Sequence, residues 1–158
     1  MSGFQSSQLA DGRQSGRALA IRRGAARFYA QNGCTCLFEA SLANGRRADI
    51  VALAPDGMIT IIEVKSSPAD LRADTKWPDY IDFCDRFTFA TAPDVPANLF
   101  PDTEGLMVAD AFGAHVLREA KVIKLHAARR KALTLRLARH AMGRLHRLDD
   151  PTGGAPEF

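Results

Sequence analysis

The run Arg47-Ala48-Asp49-Ile50-Val51-Ala52-Leu53-Ala54-Pro55-Asp56-Gly57-Met58-Ile59-Thr60-Ile61-Ile62-Glu63-Val64-Lys65 constrains this chain more than any other stretch. Two apolar segments flank a Pro-Asp-Gly turn, the pattern of a β-hairpin. Asp49 stands near the open end of one arm, with Glu63 and Lys65 on the other. Side chains alternate across a strand, so Glu63 and Lys65 share a face. A three-residue loop, Pro55 to Gly57, pairs Ala54 with Met58 and, counted back, sets Asp49 opposite Glu63. Directly opposed residues have Cβ atoms roughly 4.5–5.5 Å apart, where like charges are destabilising. Two carboxylates so placed need a cation between them, or a partner such as Lys65. That is the geometry of a divalent-metal site. A one-residue slip would carry Asp49 to the opposite face.

The remainder of the chain is read as the layers around this hairpin. Its 158 residues, 46% hydrophobic and 25% charged, suit one soluble domain with a core stable without staples. Three cysteines with no CxxC pair indicate neither a disulfide framework nor a zinc site. They are expected to be reduced and buried. No apolar run approaches the roughly 18 residues of a membrane span, and the first residues lack the pattern of a signal peptide. The expectation is a cytoplasmic protein without a membrane partner. Charge is unevenly spread. Lys121 to Leu148 holds nine Lys or Arg and no acid, whereas acids outnumber Lys and Arg between Pro68 and Asp110. The C-terminal end therefore suits a polyanion.

In chain order, residues 1–14 are polar and expected to be disordered. A helix is predicted from about Ser15 to Gln31, stopped by Asn32-Gly33. It carries Arg17, Arg22, Arg23 and Arg27 and no acid. Cys34 to Leu42 alternates as a strand, with Glu39 on the face opposite Cys36 and Phe38. Asn44-Gly45 joins that strand to the Asp49 strand. A three-residue loop Ala43 to Gly45 sets Glu39 opposite Asp49, and a two-residue turn sets it opposite Ile50. Glu39 is thus a candidate third carboxylate or a solvated strand charge. Residues 69–84 read as helical but broken at Pro78, with Trp77 and Tyr80 packing on the sheet. Arg86 to Thr91 is a further strand, placed by a right-handed crossover parallel to the Glu63 strand. A Pro-rich surface loop (92–101) and a short hairpin (105–118) follow. The last helix, about Leu125 to Leu148, places Leu133, Leu137, Ala141, Leu145 and Leu148 on one side and Arg129, Arg136, His140 and Arg147 on another. The basic side is either a phosphate-tracking stripe or a solvated face. The tail, 149–158, is Gly/Pro-rich and expected to be loose.

Asp49 followed by Glu63-Val64-Lys65 resembles the D…(D/E)-x-K signature of the PD-(D/E)XK nuclease superfamily, and the order α-β-β-β-α-β resembles its core. Gly45-Arg46-Arg47-Ala48-Asp49, Glu63-Val64-Lys65-Ser66-Ser67, Arg72-Ala73-Asp74, Lys76-Trp77-Pro78-Asp79-Tyr80, Cys84-Asp85-Arg86 and Arg129-Arg130-Lys131-Ala132-Leu133-Thr134-Leu135 are similar to the MmcB-like DNA repair proteins. The resemblance spans roughly residues 15–148. It implies an α/β fold with a restriction-endonuclease-like core, a central mixed sheet flanked by helices, plus an extra β-hairpin and a long basic C-terminal helix.

It also implies a divalent-metal-dependent DNA endonuclease in repair. Asp49, Glu63, the Val64 carbonyl and Glu39 would hold Mg²⁺, with Mn²⁺ as a substitute. Lys65 would orient water or offset charge on phosphorus. Arg23, Arg129, Arg130, Arg136, His140 and Arg147 would contact DNA. Many relatives in the superfamily place an acid in the first helix. Residues 15–33 have none, which leaves Glu39 for that role. The alternatives are a nuclease-fold DNA-binding or adaptor protein that does not cut, and an RNA-directed or mobile-element nuclease. The bland reading of Asp49, Glu63 and Lys65 is a salt-bridged rim at a sheet end. Other repair proteins are further expected partners, and a homodimer would suit paired-strand cutting.

Overall fold

The computed structural model describes residues 15–158; the expected disorder of residues 1–14 lies outside them. Helix α1 (Gly16–Gln31) is followed by strands β1 (Thr35–Ser41), β2 (Arg47–Leu53) and β3 (Ile59–Lys65). Helix α2 (Pro68–Ala73) and a 3₁₀ segment (Trp77–Phe83) lead to β4 (Arg86–Thr91). Strands β5 (Gly105–Ala109) and β6 (Ala114–Arg118) and the long helix α3 (Ala127–Asp149) complete the chain. The strands form one mixed sheet in chain order, β1 to β6. β1, β2 and β3 are an antiparallel meander, β3, β4 and β5 run parallel, and β6 turns back against β5. This is the α/β architecture expected, with the extra hairpin extending the sheet beyond β4.

β3 lies at the centre of the sheet and every residue in it is buried. A strand flanked on both sides and covered on both faces reads as a continuous apolar run, which explains Ile59-Thr60-Ile61-Ile62. It makes the burial of Glu63 and Lys65 the anomaly. Helix α1 packs Ile21, Gly24 and Ala25 towards the sheet. Gly24 is required there. A Cβ at that position would stand 1.9 Å from the Asp110 carbonyl oxygen at the β5–β6 turn.

On the opposite face, Trp77 stacks on Phe87 with ring centroids 5.7 Å apart and meets Phe89 edge-on at 5.5 Å. Tyr80 stacks on Phe87 at 6.1 Å. Glu63 is in register with Phe89, so it points to this aromatic face. The Pro-rich loop after β4 is more than surface chain. Val95 and Phe100 are buried, and Phe100 packs on Phe89 at 5.5 Å. Cys84 is buried, but Cys34 and Cys36 are only half-buried; all three are free thiols.

Helix α3 buries only the first part of the expected leucine side, Leu133 and Leu137, and turns His140 and Gly143 inward in place of Ala141, Leu145 and Leu148. Its buried residues are Leu133, Leu137, His140 and Gly143, whereas Leu145 and Leu148 are 59% and 80% exposed. The reason is the edge strand β1, whose backbone carbonyls need donors. Arg136 Nε donates to Ser41 O at 2.7 Å, and Arg144 donates to Phe38 O and to Glu39 O, the latter at 2.8 Å. Arginine stems lie along the apolar interface while their heads reach polar backbone. At the start of α3, Arg130 pairs with the buried Asp85. The tail folds back rather than hanging loose. Phe158 lies against His140 (5.9 Å) and under the Arg139 guanidinium (4.9 Å), and Arg147 donates to Pro156 O at 2.8 Å.

Candidate functional site

The β2–β3 loop is the three-residue one. Ala54 N–H donates to Met58 O at 2.9 Å and Gly57 N–H to Ala54 O at 2.9 Å. Regular pairing runs from Leu53–Ile59 to Ile50–Ile62 and there it stops. One residue further on, the carboxylates take over the backbone donors. Asp49 N–H donates to Glu63 Oε1 at 3.1 Å, and Val64 N–H donates to Asp49 Oδ2 at 2.8 Å. The two acids are thereby locked across from one another at the end of the hairpin.

They open into a cleft of about 450 Å³ that also holds Lys65, Asp70, Asp74, Arg46, Arg47, Lys76 and Tyr80. Glu63 and Lys65 are 5% and 7% exposed. Burial drives the Asp49 carboxyl above the usual carboxylate range, although the Val64 N–H and Lys65 oppose this. Burial, and next the Asp49 charge, drive Glu63 well above it. Both anions are destabilised where they stand. Lys65 Nζ meets Asp74 Oδ2 at 2.8 Å. Burial pulls the lysine down, but Asp74 and the other acids outweigh it, so Lys65 is held above its ordinary value.

Asp70 and Asp74 were not singled out from sequence. Ser67 caps α2 by accepting from Asp70 N–H at 3.1 Å, while Asp70 Oδ2 accepts from Ser66 N–H at 3.0 Å. The pattern Ser67-Pro-Ala-Asp70 is a capping-box spacing, which was the available signal. Asp74 is fixed by accepting Lys76 N–H at 2.8 Å. Tyr80 donates its hydroxyl to Arg47 O at 2.9 Å and braces the strand entry.

The Ala43–Gly45 loop is also the three-residue form, with Leu42 N–H bonded to Arg46 O at 2.8 Å. The register brackets Glu39 against Asp49. Glu39 itself has φ +50°, a left-handed conformation that is costly for a residue with a Cβ. It is half-buried, and its charge contributes to raising Asp49.

The residues read as DNA contacts do not form one row. Arg23 is exposed on α1. Arg129 donates to Asp82 O at 3.0 Å and lies over the Phe83 ring. Arg130 is committed to Asp85 and to Gly57 O at 2.7 Å. Arg136 and Arg147 serve backbone carbonyls, and His140 is 5% exposed. Burial and then Arg144, Arg147 and Arg136 depress the His140 pKa. The predicted basic stripe is largely an anchoring face, because its guanidinium groups found carbonyls before solvent.

The family model for "DNA repair protein MmcB-like" matches residues 5–152. The chain belongs to the MmcB-like DNA repair proteins. A solved structure titled as the SPO1766 protein of unknown function from Silicibacter pomeroyi is 41% identical to this MmcB-like chain. That similarity has a TM-score of 0.84 and covers 89% of this chain and 97% of that one. No curated protein matches the sequence. Among the described residues, no helix is long and apolar enough to cross a membrane, and no group of three or more His, Cys, Asp or Glu side chains is arranged to hold a metal ion. The donors at the hairpin end are two carboxylates, both disfavoured as anions by burial. An oxygen pair of that kind fits a hard divalent cation.

Proposed function

We propose that this protein is a divalent-metal-dependent DNA endonuclease of the PD-(D/E)XK type, acting in DNA repair through Asp49, Glu63 and Lys65. The observation that carries the reading is the hairpin end, where the half-buried Asp49 and the buried Glu63 carboxylates replace the ladder hydrogen bonds beside a buried lysine. Such an arrangement costs folding energy, and a site for Mg²⁺ or Mn²⁺ gives it a use. Asp49 and Glu63 would hold the cation, with the Val64 carbonyl next to them. A cation held there would supply water activation and charge neutralisation at phosphorus. Lys65, kept charged by Asp74, would donate to a phosphate oxygen as charge builds there. Arg47 and Lys76 at the cleft margin would hold the flanking backbone.

The second reading, a DNA-binding or adaptor protein that does not cut, draws on the pairing of the cleft's cations. Lys65 is held by Asp74 and Arg46 by Asp79, the latter at 2.8 Å. Purified protein incubated with linear, nicked and branched DNA in Mg²⁺ or Mn²⁺ separates the two. Cleavage lost in Glu63→Ala and in Lys65→Ala supports the nuclease. Cleavage persisting in both variants sinks the assignment, and salt-sensitive binding without cleavage favours the adaptor.

A further inference from the structure

The inward side of α3 is fully used by Leu133, Leu137, Asp85–Arg130 and the arginines on β1. Its outward side carries a second apolar row that faces solvent. Leu135, Met142 and Leu145 are 60%, 68% and 59% exposed, and Ala138 between them is exposed as well. Single exposed apolar residues are ordinary. A continuous row is not. The positions 135, 138, 142 and 145 follow the three-four spacing of a coiled-coil seam and extend about 15 Å along the helix. The row continues at Leu135 and Ala138 into a groove of about 900 Å³ floored by Met58 and Leu125.

We propose that this face of α3 is a docking surface for an acidic amphipathic helix of a partner protein. The charge around the row selects that occupant. Lys131 and Arg139 are exposed beside it, α3 has no acid before Asp149, and at the groove Lys124 and Lys131 outnumber the exposed Asp56, the other acid there, Asp85, being paired with Arg130. A helix with apolar residues at the same spacing and Glu or Asp at its margins would bury the row and meet those cations. A second copy of α3 would instead set basic margins against basic margins. DNA would gain from the cations, but it would leave Leu135, Met142 and Leu145 in water. The helix is already pinned from below, so little ordering cost remains at binding. The inference is independent of whether Asp49 and Glu63 hold a metal.

The test uses the full chain and a labelled synthetic three-heptad helix with Leu at its a and d positions and Glu at e and g. A second helix carries Lys in place of Glu. The acidic helix should bind, with affinity falling as salt rises, and the basic one should not. Leu135→Glu with Met142→Glu should weaken binding by about tenfold or more; both sites are exposed, and an unchanged melting temperature verifies the fold. Absence of binding, equal binding of both helices, or no effect of the double variant overturns the proposal. So does wild-type dimerisation abolished by that variant, which would make the occupant a second copy, or loss of duplex DNA binding in it.

Discussion

Asp85 is 1% exposed, and every polar atom it has is employed. Its N–H donates to Ile59 O at 2.8 Å, and its carbonyl accepts from Ile123 N–H at 2.9 Å. Its carboxylate accepts from Ile59 N–H at 2.7 Å, Leu125 N–H at 2.8 Å and Arg130 at 2.8 and 2.5 Å. One residue therefore ties the start of β3 to the approach of α3 and to α3 itself. In Asp85→Asn the amide nitrogen must face at least one of those donors. A buried unsatisfied donor costs about 1–3 kcal/mol, and breaking a buried pair about 3–5 kcal/mol, so a loss of about 3 kcal/mol is expected.

The same contacts set the acidity of Asp85. Burial opposes the charged form, but Arg130 and the two backbone donors hold the carboxyl at about 2 against the ordinary 3.8. That difference corresponds to roughly 2 kcal/mol in favour of the folded state. Because the folded value is the lower one, the contribution is complete above about pH 5 and fades as pH falls through about 4 towards 2. Urea unfolding followed by circular dichroism at pH 7 should show the midpoint falling with an unchanged slope. The melting temperature should drop by roughly 6–12 °C. The variant should also lose part of the wild type's stability change between pH 5 and 2. A change below about 1 kcal/mol, or an identical acid dependence, would refute the reasoning.

Two other expectations follow from packing. Gly24→Ala would drive a Cβ into the Asp110 carbonyl, so it should cost about 3 kcal/mol or more by urea unfolding; a neutral result would mean that α1 sits further from the β5–β6 turn. Arg144→Met keeps the stem but leaves the Phe38 and Glu39 carbonyls on the edge strand without their donor. It should lose about 1–2 kcal/mol and speed amide exchange in β1 relative to β4, which uniform exchange would contradict.

The hairpin was legible because a Pro-Asp-Gly loop flanked by apolar strands admits few registers, and its three-residue form brings Asp49 to Glu63. The Asn44-Gly45 loop admitted two lengths, and only pairing with β2 selects one. The left-handed Glu39 was invisible, since backbone strain is imposed by the surrounding sheet rather than by local propensity. On α3 the leucine pattern gives the buried Leu133 and Leu137 but not the inward arginines, for a definable reason. Hydropathy counts arginine as solvent-seeking, whereas an exposed strand edge offers carbonyls that draw guanidinium groups inward. Asp70 and Asp74 lay in a stretch rich in acids, where nothing local separates a cap or a lysine partner from a solvated charge.

The proposed nuclease stands or falls on whether the Asp49–Glu63 pair holds a divalent cation. Glu63→Gln tests it most directly, because an amide oxygen can still accept the Asp49 N–H while one buried charge is removed. Melting curves of wild type and variant are recorded at pH 7.5 in chelator and with increasing Mn²⁺ or Mg²⁺. The variant should be the more stable of the two in chelator, by about 1 kcal/mol. Metal should raise the wild-type melting temperature in a saturable way and leave the variant's unchanged. A wild type indifferent to metal, or a variant that responds equally, would contradict the proposal.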